Sequence, residues 1–201
     1  MKDNYSLFYS YQTMGDVLIV IFNNEKKATS HKRKGNVEVI YNNDEVIGYN
    51  IFNVQNFLKI KSQGLIYLPS PTLVEVINTV LINAKIEPLG IKKESGYVIA
   101  QVLETKDLDS DKKLVKLNLG NETSYAITKN KSISDNQKVV VAKANTRLND
   151  GSLVKEGSLD NLVINAHICS EKELSISESN DLLILDDEEE IGKDFFMMEE
   201  K

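Results

Sequence analysis

The chain is short of several things. Its 201 residues include one cysteine, no tryptophan, two histidines and three prolines. A lone cysteine closes no intrachain disulfide, which argues against a stapled scaffold of an oxidising compartment. One Cys and two His far apart in sequence also leave a zinc site short of ligands, so no metal and no cofactor are expected. No run of 18 or more apolar residues exists, so no helical membrane span and no membrane partner are expected. "MKDNYSLFYSYQ" carries an early Asp3 and no long apolar stretch, unlike a secretory signal. The expected location is the cytoplasm. Aromatics at 7% within 41% apolar residues suit ordinary cores, in one large domain or two of roughly 100 residues.

Net charge is −6, but it is unevenly placed. Residues 181–201 hold nine Asp/Glu against two Lys, while residues 1–180 hold twenty-two Lys/Arg against twenty-one Asp/Glu. The acidity is therefore a property of the tail. A near-neutral body lacks the basic excess usual in tight, non-specific nucleic-acid binders, so any such contact has to come from clustered lysines.

Apolar alternation and turn residues divide the chain. "DVLIVIF" (16–22), "NVEVIYN" (36–42) and "EVIGYNIFNV" (45–54) read as strands, with "NND" (42–44) as a hairpin turn. "SPTLVEVINTVLINAK" (70–85) changes period. Ser70 or Thr72 can cap, Pro71 suits a first turn, and Leu73, Val76, Ile77, Val80, Leu81 and Ala84 recur at helical spacing. Residues 1–90 thus read as an α+β domain of unknown role. Residues 86–95 hold Pro88 and Gly90 and read as a linker. Beyond it come five candidate strands: 96–105, 113–120, 123–129, 137–144 and 161–170. Five short strands in about 90 residues predict a small barrel over 91–185. Val115, Leu117 and Leu119 would share its inner face, opposite Leu114, Lys116 and Asn118.

Two strings carry a resemblance. Gln137 to Ala142, "QKVVVA", and Ile168, Cys169, Ser170, Glu173 and Leu174 within "HICSEKEL" resemble the tRNA-binding OB-fold domain of the phenylalanyl-tRNA synthetase β subunit. "GYNIFN" (48–53) ahead of that domain is similar to YtpR-type stand-alone tRNA-binding proteins, and together the resemblance spans nearly the whole chain. It implies an α+β N-terminal domain followed by an all-β OB-fold barrel, with tRNA as partner. The pattern departs from the family at several points. "DLDSDKK" (107–113) replaces a His-Pro opening, "TKNKS" (128–132) replaces a Cys-Gly-Ala-Pro-Asn, and Asp160 stands at an Arg position.

Individual sites divide between chemistry and packing. Cys169 and His167 lie two apart, but a thiolate nucleophile needs a base in reach and a group orienting it. Spacing identifies no orienting carboxylate, and free Cys is commonly buried, so Cys169 reads as structural and no catalytic residue is assigned. Ser170 and Glu173 form a Ser-x-x-Glu capping box, which predicts a helix N-terminus there. With Lys172 beside it, such an end can present N–H groups to a phosphate or ribose. Lys112, Lys113, Lys116, Lys129 and Lys131 fall on strands and loops that in OB folds form the ligand groove. "KKATSHKRK" (26–34) holds five Lys/Arg in nine residues and reads as a solvated loop, with a second RNA contact as the alternative. The tail, 186–201, is expected to stay unpacked and to compete with RNA for lysines, leaving Phe195, Phe196, Met197 and Met198 for docking.

The sequence therefore predicts a non-catalytic RNA-binding protein with tRNA as partner, held by phosphates and ribose. The RNA-contact residues are Lys112, Lys113, Lys116, Lys129, Lys131, Ser170 and Lys172. The alternative is a protein-interaction or oligomerisation module, including a homodimer, whose barrel has lost RNA.

Overall fold

The computed structural model describes residues 1–61 and 63–197. The chain divides into two compact units, Met1–Lys93 and Glu94–Lys201. In the first, β1 (Ser6–Tyr9), α1 (Tyr11–Met14), β2 (Val17–Ile21), β3 (Ser30–Lys34), β4 (Val37–Asn42) and β5 (Glu45–Phe52) lead to a 3-10 turn at Val54–Asn56. Then come β6 (Gly64–Ile66) and α2 (Pro71–Asn83). The six strands form one antiparallel sheet in the order β3-β4-β5-β2-β1-β6. Alternate residues (Leu7, Tyr9, Leu18, Val20, Val37, Val39, Tyr49 and Ile51) share a core with Val74, Ile77 and Leu81 of α2. Ser70 caps α2 by accepting the Leu73 amide at 3.2 Å, and Pro71 occupies its first turn.

The "GYNIFN" string has a backbone reason. Gly48 lies between Ile21 and Ile40, next to a register shift in the β4–β5 ladder. A Cβ there would stand 2.7 Å from the Val20 carbonyl oxygen. Ile51 is buried in the core, and Asn53 takes φ 57° as the chain leaves the sheet. Downstream, the Asn78 side chain accepts the Leu89 amide at 2.7 Å and donates to its carbonyl at 2.8 Å. Leu89 is thereby packed into the first core.

The second unit contains β7 (Tyr97–Asp107), β8 (Lys113–Asn118), β9 (Thr123–Thr128), β10 (Lys138–Lys143), β11 (Gly157–Leu159), β12 (Leu162–Ile164), β13 (Ala166–Ile168) and β14 (Ile184–Leu185). Its main sheet runs β13-β10-β7-β8-β9, with β14 also beside β10, and β11–β12 form a separate hairpin. Val102, Val115, Leu117, Ala126, Val139 and Val141 fill one face. Val140 and Ala142 are equally buried on the other side of β10, which is why "VVVA" lacks alternation.

These sheets correct the expectation of an α+β domain followed by a closed OB-fold barrel. The regular secondary structure of the described residues is mostly strand. The helical period of 70–85 yields a single helix of 13 residues beside a six-stranded sheet. The second sheet is open, because the strand expected over 161–170 breaks at Asn165. Leu162–Ile164 pairs with β11, while Ala166–Ile168 pairs with β10. Two three-residue pieces with different partners do not form the continuous strand that closure requires.

Two polar segments are also ordered where looser chain was expected. Ser30–Lys34 is the edge strand β3, and not a loop. Residues 192–196 of the acidic tail lie along β7 as a strap. The Gly192 amide donates to the Ile99 carbonyl at 2.8 Å, Ile99 to Lys193 at 2.9 Å, and Phe195 to Tyr97 at 2.9 Å. The Asp194 carboxylate accepts the Ser95 amide at 2.6 Å and the Ser95 hydroxyl at 2.8 Å. Phe196 stands edge-on to buried Tyr97, ring centroids 5.2 Å apart. Gly192 sits at φ 86°, where a Cβ would meet the Leu119 carbonyl at 2.6 Å. The strap thus docks near Leu119–Gly120, beyond the Asn118 end of β8 and away from Lys113. Met198 lies outside the described residues.

Gly48→Ala is expected to cost about 1–3 kcal/mol, as overpacking does, read as a fall in the urea midpoint. Asp194→Ala should cost about 1–3 kcal/mol through the hydrogen bonds lost at Ser95, measured in the same way.

Candidate functional site

The antiparallel β8–β9 ladder pairs Lys113 with Thr128 and Lys116 with Tyr125. The chain leaves β9 at Thr128, so Lys129 and Lys131 return beside the β7–β8 turn that carries Lys112 and Lys113. Bonds confirm the meeting. The Lys113 ammonium donates to the Lys131 carbonyl at 3.3 Å and to the Ile133 carbonyl at 3.1 Å. The Lys131 ammonium donates to the Ser110 carbonyl. Four of the expected lysines, 19 residues apart at most by their own numbers, therefore share one end of the hairpin pair.

Acidic groups share that end. Lys129 faces Asp111 at 3.6 Å and Lys112 faces Asp109 at 3.9 Å, all with substantial exposure. The Asp111 amide, donating to Asp109 at 2.9 Å, holds the Asp109 carboxyl below the usual range, and Lys112 adds to this. Solvated pairs of this kind contribute little and exchange readily, so both lysines can re-pair with an incoming phosphate.

Lys116 lies on the adjoining sheet face. In register with it are Glu104 of β7 and Tyr125 of β9, while Lys106, Leu114 and Ile127 form the next row. Lys106 and Ile127 are exposed, and Tyr125 is half-exposed. Among the described residues, neither the Lys106 nor the Lys116 ammonium has an ion-pair or hydrogen-bond partner. Lys106 was not among the residues chosen from the sequence; its alternation with Glu104 on the long β7 strand was the available signal. Tyr97, the other aromatic of this unit's strands, is buried and donates its hydroxyl to the Arg147 carbonyl at 2.8 Å.

"HICSEKEL" folds otherwise than expected. The capping box forms: the Glu173 amide donates to Ser170 Oγ at 3.3 Å, and Glu173 Oε2 accepts the Ser170 amide at 2.8 Å. No helix follows it. The Leu174 amide closes one turn onto the Ser170 carbonyl at 3.1 Å, and Ser175 at φ 58° ends it. A single turn offers no row of free amides. Ser170 is buried with its hydroxyl on Glu173, and Lys172 pairs with Glu178 at 3.3 Å. Among the described residues, neither is bonded to the lysine cluster.

The same turn settles the thiol. His167 Nε2 lies 2.8 Å from Glu173 Oε1, so a carboxylate does hold the imidazole, six residues away where spacing on a strand could not reveal it. Cys169 is fully buried, and burial first, then the Glu173 charge, pushes its thiol well up. It points to the His167 carbonyl at 3.7 Å, not to the ring. Burial alone would raise the Glu173 carboxyl; the hydrogen bonds from His167 and Ser170 outweigh it and leave it below the usual range. Among the described residues, no group of three or more His, Cys, Asp or Glu could hold a metal ion, and no helix is long and apolar enough to cross a membrane.

Comparisons with known proteins bear on both units. Residues 24–89 match the family described as Domain of unknown function (DUF4479), within the first unit. Over 197 residues the chain is 29% identical to the Bacillus subtilis (strain 168) protein named "Putative tRNA-binding protein YtpR", covering 94% of this chain and 98% of that one. It is 24% identical to the Mycoplasma pneumoniae "Uncharacterized protein MG449 homolog", covering 96% of this chain and 86% of that protein. For the Mycoplasma genitalium "Uncharacterized protein MG449" the figures are 23%, 96% and 88%.

Glu173→Gln is expected to lower stability near neutral pH by about 1 kcal/mol, as loss of a cap does. Because the folded carboxyl sits below its unfolded value of 4.5, its contribution is present above that pH and is lost as pH falls through the folded value. The gap between wild type and variant should therefore close in acid, measured by urea melts across pH 7 to 3.

Proposed function

We propose that this protein is a non-catalytic RNA-binding protein, and that its ligand is a folded tRNA gripped through phosphates and riboses. The observation that carries this reading is the convergence of Lys112, Lys113, Lys129 and Lys131 at one end of β8–β9, beside a sheet face bearing Lys106, Lys116 and Tyr125. Lysines at strand ends supply phosphate contacts, and the one half-exposed tyrosine supplies a single stacking surface. The similarity to a Bacillus subtilis protein whose name reads tRNA-binding supports the same ligand. The one thiol is buried, and its neighbouring imidazole serves a structural turn.

A second reading, a protein-interaction module, is favoured by one observation. Asp109 and Asp111 already face two of the lysines, and residues 94–201 carry thirteen Lys/Arg against twenty-two Asp/Glu. Phosphate contact by such a surface depends on the local cluster alone, so affinity is modest and steeply dependent on salt.

The test is a titration of labelled bulk tRNA at several salt concentrations with wild type and the Lys116→Gln/Lys129→Gln double variant. These positions are chosen because Lys113 also holds loop carbonyls. Binding should weaken by about tenfold in the variant, and the slope of log K against log salt should fall by about 1–2, near one per lost phosphate contact. Binding that is absent, or indifferent to both salt and the substitutions, favours the interaction module.

A further inference from the structure

The first unit contains a cleft between the β3–β4 turn and the C-terminal end of α2, with a volume of about 640 Å³. That is within the range of small-ligand sites, roughly 300–1,000 Å³. Its apolar lining includes the half-buried Phe57 and Val80, and its polar lining is Lys34, Asn36, Asn83 and Lys85. Lys34 reaches across the cleft mouth to donate to the Lys85 carbonyl at 3.3 Å, which leaves two ammonium protons. Among the described residues, the Asn36 and Asn83 amides and the Lys85 ammonium have no hydrogen-bond or ion-pair partner.

Charge in the surroundings favours an anion. A second hollow of about 420 Å³ shares Lys34 and Lys85 and brings in Lys2, Asp44, Glu45 and Glu87. Two of the three carboxylates are already engaged, Glu45 by Lys26 and Glu87 by the N-terminal ammonium at 3.1 Å. Among the described residues, neither Lys34 nor Lys85 forms an ion pair with a carboxylate. Lys32, two residues before Lys34, lies on the same face of β3 and is exposed.

We propose that this cleft binds a nucleoside monophosphate moiety. Its phosphate is held by the Lys34 and Lys85 ammonium groups and its base lies against Phe57 and Val80, within reach of the Asn36 and Asn83 amides. Paired cations select the phosphate, a flat apolar floor selects the base, and side-chain amides can read its edge. The moiety is either a free nucleotide or an unpaired nucleotide of an RNA. The site belongs to the first unit and does not rest on the lysine cluster of the second.

The test uses the full chain, isotope-labelled, with AMP, CMP, adenosine, inorganic phosphate and a single-stranded pentanucleotide as probes. Amide shifts at Gly35, Asn36, Ala84 and Lys85 on adding AMP or CMP, with adenosine and phosphate each at least tenfold weaker, support a free nucleotide. The same shifts with the pentanucleotide alone support an RNA nucleotide. Lys34→Met keeps the side-chain stem, and Lys85→Gly suits the φ of 56° at that position. Together they should weaken binding at least tenfold, as read from the shifts at Gly35, Asn36 and Ala84. No shift with any nucleotide, shifts confined to the second unit, equal binding of phosphate alone, or indifference to the Lys34 and Lys85 changes would overturn the proposal.

Discussion

The second unit is organised by β7. Its eleven residues exceed any single neighbour: Tyr97–Gln101 pairs with β10 and Gln101–Asp107 pairs with β8, with a register shift between Val102 and Glu104. A strand shared in this way sets which residues face the core on both sides. Ala100 and Val102 turn inward with Val115, Leu117 and Val139, while Glu104 and Lys106 turn outward. The same length leaves the other edge of Tyr97–Ile99 without a strand, and the strap at 192–195 takes it. The lysine cluster depends on this frame, because β8 and β9 return their ends to one place only while β7 holds β8 in register.

Charge is then a question of place and not of total. The second unit is acidic overall, and its tail holds a run of five carboxylates from Asp186 to Glu190. Yet the strap fixes residues 192–196 of that tail near Gly120, four residues along the chain from Lys116, by backbone bonds and the Ser95–Asp194 contact. The Lys138 ammonium reaches the backbone carbonyls of Asp187 and Glu189, not their carboxylates. Those contacts give the tail a structural task. They correct the expectation that it stays unpacked.

Apolar alternation made most of the strands legible. The pattern at 16–22, 36–42 and 113–120 placed β2, β4 and β8, and the capping residues placed α2. What escaped had no such pattern. "SHKRK" holds no apolar residue, so only its pairing with β4 makes it a strand; the Gly35-Asn36 turn, with Gly35 at φ 59°, was its one local signal. The split at Asn165 hangs on that residue's carbonyl accepting the Ala144 amide and its amide donating to the Tyr125 carbonyl, both long-range bonds. In "CSEKELS" the capping box is local and was readable, whereas the termination at Ser175 is a backbone conformation that no side chain announced. The lysine cluster was readable as a group of residues, but its neutralising partners, Asp109 and Asp111, acquire meaning only once the turn brings them to Lys112 and Lys129.

The central claim is that RNA is held at the 107–113 and 128–133 loops and on the outer face of β8–β9. Hydrogen–deuterium exchange of the full chain, with and without saturating tRNA at low salt, tests it most directly. The account predicts slowed exchange in those two loops and along β8–β9, with the 170–175 turn unchanged. Protection confined to the 170–175 turn, or to the first unit, would contradict it.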